Sequence, residues 1–210
     1  MRELKTPWWL RKREEGTGKP VKGDYTVVSS VDRGFLSLLR SHMVPEVIAG
    51  AEQIGLCPPG EQGDILLGLY LYDIRENDEM RVNGFISCDE EHLQNPPLYL
   101  SLYYMMTAYS DMDIRYREEE NHRLLTKAMQ ILYDHPVLDA ATLRPSGRIQ
   151  PYDLRIEYLN LEPGDKSAVW QNAKQPMRLS QFYRVTPVQL DSTVYRKISR
   201  VKEIRLEAGE

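Results

Sequence analysis

The chain contains only two cysteines, Cys57 and Cys88, in 210 residues. Two cysteines form at most one disulfide, and a chain of this length buries enough apolar surface to fold without it. We therefore expect both to be reduced thiols, as in a cytosolic protein. Only Cys88 and His92 stand at a spacing suited to metal ligands, and two ligands do not make a zinc site, so no metal is predicted.

Long hydrophobic runs are also missing. The longest apolar stretch, Ile65–Tyr72, is far shorter than the roughly 18–20 residues that cross a bilayer. A secretory signal needs an apolar region of roughly 7–15 residues, whereas the short segment Pro7–Leu10 is followed at once by the charged run Arg11–Glu15. We expect neither a membrane span nor a leader, and no contact with a membrane.

Common catalytic and nucleotide-binding motifs are absent as well. Gly18-Lys19 suggests a phosphate loop, but Arg13 and Pro20 occupy the positions where that motif needs glycine and Ser/Thr. No cofactor is therefore predicted. The enzymatic alternative is a small hydrolase that uses an acidic cluster, Asp73 and Glu76, or else His122. Acidic residues that follow a strand are more often solvated or at an interface, so we predict a protein that is not an enzyme.

Basic residues are scarce in the body of the chain and concentrated at its ends. Residues 1–22 carry seven Lys/Arg against three Glu, residues 194–210 carry five against three, and the remaining 171 carry 15 basic and 25 acidic side chains. The ends therefore have charges of +4 and +2, and the body has −10. Basic ends on an acidic body suit arms that lie across an acidic surface, their own or a neighbour's. A sequence pI near 5.7 and the absence of a basic stripe argue against a nucleic-acid-binding module.

With 41% hydrophobic and 28% charged residues, the chain is predicted to form one folded domain with two arms. We place an N-terminal basic arm at residues 1–25, the domain at 26–193 and a basic tail at 194–210. The arm carries Trp8 and Trp9, flanked by basic residues that include Arg11 and Arg13. A tryptophan pair in such a setting anchors either to a groove of another protein or to its own domain, and both interpretations stay open.

Periodicity predicts an α/β (α+β) fold, a mixed sheet of about four to six strands flanked by two main helices. Apolar residues at helical spacing indicate a helix at about 26–43, and the sequence from Arg117 to His135 indicates a second. A run that is apolar on both faces, Asp64–Asp73, predicts a central buried strand, with Leu98–Thr107 as its partner. Other predicted elements are a short edge strand at 82–87, a strand at 152–161, a short helix at 166–172 and a last strand at 177–190, where Pro187 indicates an edge or a bulge.

Tyrosine is the one unusually frequent aromatic, with 13 of 19 aromatic residues. Alternating positions on a sheet explain several of them. Tyrosine is also enriched at protein interfaces, because it combines a large contact area with a polar group. Both explanations hold if part of the sheet is an assembly surface; the concentrated positions are 70, 72, 99, 103, 104, 109 and 116.

Taken in order, several segments resemble the N-terminal domain of cap proteins from phage-tail-like contractile injection systems. The resemblance spans about residues 26–193 and leaves out the arm and the tail. No segment is specific alone, but their order and spacing agree with the family throughout. The segments that carry the resemblance are Leu69–Asn77, Pro96–Ala108, Glu119–Leu125, Leu132–Leu138, Ser167–Trp170 and Tyr183–Val188.

The resemblance implies a tail terminator, a hexameric ring on the distal end of the inner tube and the last sheath ring. Such a ring stops polymerisation and holds sheath to tube. Its implied partners are further copies of itself, the sheath protein and the inner tube protein, and its implied location is the bacterial cytoplasm during assembly and then the particle. We expect the interfaces to involve residues of the arm and of the segment after the first buried strand, namely Trp8, Trp9, Arg11, Arg13, Asp73, Arg75 and Glu76.

Overall fold

The structure, a computed structural model, describes residues 24–87, 92–139, 143, 152–172 and 174–197. The chain forms two compact units. The larger unit contains residues 24–81 and 98–190, and the smaller one includes residues 82–97 and 191–197. Within the described ranges, no helix is both long and apolar enough to cross a bilayer.

The first element of the larger unit is helix α1, Val27–Met43, as predicted. Its buried side chains recur every four residues, because residues at that spacing lie on one face of a helix. Val31, Phe35, Leu39 and Met43 are all fully buried. The helix ends where Val44 precedes Pro45, since a residue before proline is disfavoured in the helical conformation.

A six-stranded mixed sheet forms the centre of this unit, in the order β1-β2-β5-β8-β7-β6. Strand β1 runs parallel to β2, and all the other neighbouring pairs are antiparallel. The strands are β1 Ile54–Leu56, β2 Leu67–Glu76, β5 Leu98–Ala108, β6 Val137–Leu138, β7 Leu154–Leu159 and β8 Ser180–Leu190.

Helices cover both faces of the sheet. Helix α1 and helix α2, Ile114–Asp134, contribute to the main core with one face of the sheet, through residues such as Leu102, Leu124 and Val185. Helix α3, Pro163–Asn172, packs on the other face, where Trp170, Met105 and Phe182 form a second, smaller core. The predicted α+β fold with a mixed sheet is thus confirmed.

Two β-bulges shift the pairing register of the long strands. Leu71 pairs with Tyr104 and Asp73 with Tyr103, so Tyr72 is an extra residue in β2. On β5 and β8, Leu100 pairs with Val188 and Leu102 pairs with Val185, so β8 has one residue more than β5 over this stretch. Pro187 therefore lies in a bulge, one of the two predicted settings. It does not lie at an edge, because β8 is flanked by β5 and β7.

Several predicted boundaries were wrong. Strand β2 begins three residues later than predicted and is not central, because only the short strand β1 lies beyond it. Helix α2 begins one turn before Arg117, at Ile114, where the Asp113 carboxylate caps it by accepting from the Arg115 N–H. Strands β1 and β6 were missed, because segments of three and two residues show no periodicity.

The smaller unit contains a three-stranded antiparallel sheet in the order β3-β4-β9. Strand β3 is limited to Ile86–Ser87, within the edge strand predicted at 82–87, and β4 is His92–Gln94. Strand β9, Tyr195–Lys197, falls in the predicted tail. The Arg196 guanidinium lies 4.5 Å from the centroid of the Phe85 ring, a cation–π contact within this unit.

Candidate functional site

Four polar side chains stand side by side across four strands of the main sheet. Asp73 on β2 pairs with Tyr103 on β5, Tyr103 with Arg184 on β8, and Arg184 with Glu157 on β7. Paired residues point to the same face of a sheet, so these side chains form one line. We call these four residues, together with Arg75, the polar row. On β8, Phe182 and Arg184 point to the same face, and Tyr183 between them points to the opposite face, into the main core. Because Phe182 packs against Trp170 of α3, the polar row lies on the face that α3 covers.

The charges of the polar row are paired within it. Arg75 Nε lies 2.6 Å from Asp73 Oδ2, and the Arg75 guanidinium lies 5.0 Å from the centroid of the Tyr103 ring. Arg184 donates to Glu157 Oε2 from Nε at 2.9 Å and from a terminal nitrogen at 2.6 Å. The hydrogen bond to Glu157 raises the pKa of Arg184, and a further hydrogen bond with Tyr103 acts in the same direction.

These side chains remain accessible to a partner. The exposed fractions are 65% for Arg75 and about one third for Asp73, Glu157 and Arg184. Alternating charges held in fixed positions provide orientation and specificity more than raw affinity. The polar row is thus suited to recognition.

The residues of the hydrolase hypothesis are not brought together. Residues 73–76 pair regularly with β5, so Asp73 and Glu76 point to opposite faces of the sheet. Glu76 instead lies 3.5 Å from Arg81. His122 is exposed on α2, which packs on the face opposite the polar row. An acid pair needs both groups on one substrate, and this arrangement does not provide it.

The edge of the sheet at β2 is open beyond its first three residues. Strand β1 pairs only with Leu67–Leu69, and no other described strand pairs with β2 on that side. The Leu69 carbonyl accepts from Cys57 on the β1 side, so the main chain of Leu71 also faces that side. Past the bulge, the Asn77 N–H donates to the Tyr99 carbonyl on β5. Because successive residues of a strand direct their main-chain N–H and C=O groups to alternate sides, those of Ile74 and Glu76 face away from β5.

The other predicted residues divide between described and undescribed parts of the chain. Trp8, Trp9, Arg11 and Arg13 lie outside the described residues, as does Cys88. Cys57 is a free, buried thiol, and burial raises its pKa to about 11. No group of three or more metal-ligating side chains occurs in the described ranges.

The seven concentrated tyrosines do not form one surface. Tyr99, Tyr104 and Tyr109 are buried, whereas Tyr116 is half exposed on α2. Tyr70 and Tyr72 pack beside the Trp170 cluster. Tyr103 is the member that joins the polar row. Sequence reasoning missed this role, together with Arg184 and Glu157, because polar residues in an alternating strand reveal a common face but not their register with distant strands.

The chain thus has an α+β domain whose mixed sheet is partly open at one edge. Residues 30–203 match the model of the Pvc16 N-terminal domain family, and the chain belongs to this family. The predicted resemblance to terminators of contractile injection systems is thereby confirmed.

Two solved structures have a similar fold. One is the sheath/tube terminator of PVC, an extracellular contractile injection system, in its extended state, with 15% identity, a TM-score of 0.60, and coverage of 87% of this chain and 63% of that one. The other is the tube-terminating cap of the anti-feeding prophage, with 18% identity, a TM-score of 0.56, and coverage of 85% and 60%. The chain thus spans about three fifths of the length of these two proteins. A search of curated proteins gave no significant match.

Proposed function

We propose that this chain is the terminator of a contractile injection particle, a ring of six copies that ends the inner tube and the sheath and holds one to the other. The observation that carries the proposal is the family match over residues 30–203, on a fold similar to two terminators. The ring assembles in the bacterial cytoplasm and then occupies the distal end of the particle. Its action is blockage, because its outward face lacks the surface that recruits another ring, and it needs no catalysis.

The attachment to sheath uses the open edge of β2. An extended segment of a sheath subunit adds there as a further strand, with hydrogen bonds to the outward main-chain groups of Leu71, Ile74 and Glu76. Charged side chains on an edge strand oppose unspecific pairing, so Asp73, Arg75 and Glu76 select the added strand. The exposed Ile74 side chain, 47% accessible, supplies apolar contact.

Ring closure uses the charge difference between the ends and the body. A head-to-tail interface between identical copies closes into a ring when its rotation permits. The basic arm, with Trp8, Trp9, Arg11 and Arg13, meets the acidic body of the next copy. Six such contacts on one tube end act together, so each of them can be weak.

The test is assembly of tube and sheath, each from the same particle, with and without this chain. We expect electron microscopy to show a ring at one end of each tube and growth that stops when the chain is added. Tubes that continue to grow, with no ring at either end, would refute the terminator. Hydrolysis of a tube or sheath bond by the purified chain would favour the enzymatic alternative.

A further inference from the structure

A groove of about 370 Å³ lies between the carboxyl ends of α1 and α2, away from the polar row and the open edge. His42 and His135 are in contact there, with ring centroids 4.4 Å apart and planes inclined by 40°. The lining is mostly polar, with Val44 and Ile131 as its apolar members. Its principal polar residues are Ser41, His42, Glu46, Gln130, Asp134 and His135.

The electrostatics of this groove favour a cation. Both helices direct their carboxyl ends towards it, and the partial negative charge of a helix C-terminus attracts positive groups. Pro136 has no N–H to donate to the Leu132 carbonyl of the last turn of α2. Glu46 and Asp134 add two carboxylates against one lining cation, Lys127.

The groove also has the shape features that an arginine needs. A guanidinium is planar and stacks on aromatic rings, and two imidazoles, His42 and His135, are among the residues that line the groove. His42 is held in place, with its Nδ1 3.0 Å from the Leu38 carbonyl. The nearby Arg40 does not fill the groove, because its guanidinium donates to the Ile54 carbonyl instead.

We propose that this groove binds the basic triplet Arg11-Lys12-Arg13 of the N-terminal arm of a second copy. Residues 1–22 of the arm have a net charge of +4, and residues 23–193 have −10, so the two attract. The polar lining suits the triplet and excludes the Trp8-Trp9 pair, which needs an apolar pocket. The inference rests on the proposed ring for its purpose, and it names the surface that would close that ring.

The length of the arm favours a neighbour over the same chain. Residues 14–23 separate Arg13 from Asp24, which stands just before α1. A ten-residue segment that contains several glycines has a root-mean-square span of about 16–19 Å. The groove is at the far end of α1, about 26 Å away for a helix of 17 residues. Reaching its own groove requires a span well above this average, whereas a second copy can approach directly.

The first experiment is zero-length carbodiimide cross-linking of the full chain, with isotopically light and heavy protein mixed. The reagent joins the Lys12 amine to Glu46 or Asp134 only when they touch, and mixed light–heavy peptides identify contacts between copies. We expect mixed cross-links from Lys12 to both carboxylates. Cross-links confined to single copies, or none from Lys12 to this groove, would overturn the proposal.

Charge reversal provides the second measurement. We expect the groove variant Glu46→Lys/Asp134→Lys to weaken self-association about tenfold or more. Combining it with the arm variant Arg11→Glu/Lys12→Glu/Arg13→Glu should restore self-association, because the charges of groove and arm are then opposite again. The matched control is Glu52→Lys/Glu119→Lys, which makes the same charge change at exposed positions elsewhere. Thermal unfolding checks that each variant is folded.

These outcomes separate the inference from the proposed function. A groove variant that still associates like the control would refute the arm contact and leave the terminator intact if tubes are still capped. Persistent Lys12 cross-links in a chain that never stops tube growth would support the contact and refute the terminator.

Discussion

At the scale of single residues, Asp32 is the one buried carboxylate among the residues that the structure describes, and its partner is a tyrosine. The Tyr104 hydroxyl donates to Asp32 Oδ1 at 2.7 Å, and Tyr104 is fully buried. Burial raises the pKa of Asp32 above its ordinary value of 3.8, and the Tyr104 hydrogen bond and Arg33 partly oppose the shift. The folded state therefore holds this proton more tightly than the unfolded state does. The resulting stability is present below pH 3.8 and is lost as the pH rises through the raised pKa.

Tyr104→Phe tests this pair. Removing the donor leaves a buried carboxylate unsatisfied, so we expect the free energy of unfolding to fall by about 1–3 kcal/mol at neutral pH. The loss should be smaller below pH 3.8, where Asp32 is protonated and has no charge to solvate. Urea unfolding at both pH values measures it, with Tyr183→Phe as the control, because Tyr183 lies in the same core and its raised pKa arises from burial and from Tyr158. Equal losses at both pH values would contradict the assigned role of Asp32.

At the scale of elements, one buried side chain anchors α3 on the sheet, with Val169 partly buried beside it. Trp170 is its one buried residue among those described, and it contacts Met105 and Phe182. The indole N–H is buried, and the described residues give it no acceptor. The contribution of Trp170 is therefore packing and not hydrogen bonding.

We expect Trp170→Ala to lower the free energy of unfolding by about 3–5 kcal/mol, because it leaves a cavity in the second core. Trp170→Phe should lose well under half of that, since it keeps a ring and removes an unsatisfied donor. Calorimetry gives the stabilities, and hydrogen exchange of the α3 amides shows whether the helix detaches. Similar losses for both variants would mean that the indole nitrogen has a partner.

The open edge of β2 gives a prediction about the proposed sheath contact. Ile74→Pro removes an outward N–H while the hydrogen bonds of β2 to β5 use other residues, so the fold should persist. We expect the affinity for sheath protein to fall about tenfold or more. Ile74→Val is the matched control, because it stays β-branched and apolar and keeps the N–H. Equal sheath binding by both variants in a co-sedimentation assay would exclude this edge.

The elements also show how far sequence reasoning reaches. Helix α1 was predicted nearly to the residue, because Val31, Phe35 and Leu39 repeat at helical spacing in one segment. The start of α2 was missed, because Ile114 is 78% exposed and continues no stripe. The polar row and the His42–His135 contact join residues from separate segments, and only the register of the sheet and the packing of the helices bring them together.

At the scale of the whole molecule, the distribution of charge is more informative than its total. The net charge of −4 combines an acidic body with two basic ends. Like charges on the bodies of identical copies repel, and the ends offset this repulsion only when they reach a neighbour. Self-association of this chain should therefore depend on ionic strength in a direction that its net charge does not reveal.

We expect light scattering of the free chain at low ionic strength to report about six times the 24.4-kDa mass of one chain. Raising the salt from about 0.1 M to 1 M shortens the screening length from about 10 Å to 3 Å and should dissociate the ring, because arm and body then no longer attract. A Trp8→Ala/Trp9→Ala variant separates apolar anchoring from charge. Its ring should be lost at every salt concentration if the tryptophans anchor it, and only at high salt if charge alone closes it. A strict monomer at low salt, in the presence of both sheath and tube protein, would refute ring closure and leave the groove between α1 and α2 without its occupant.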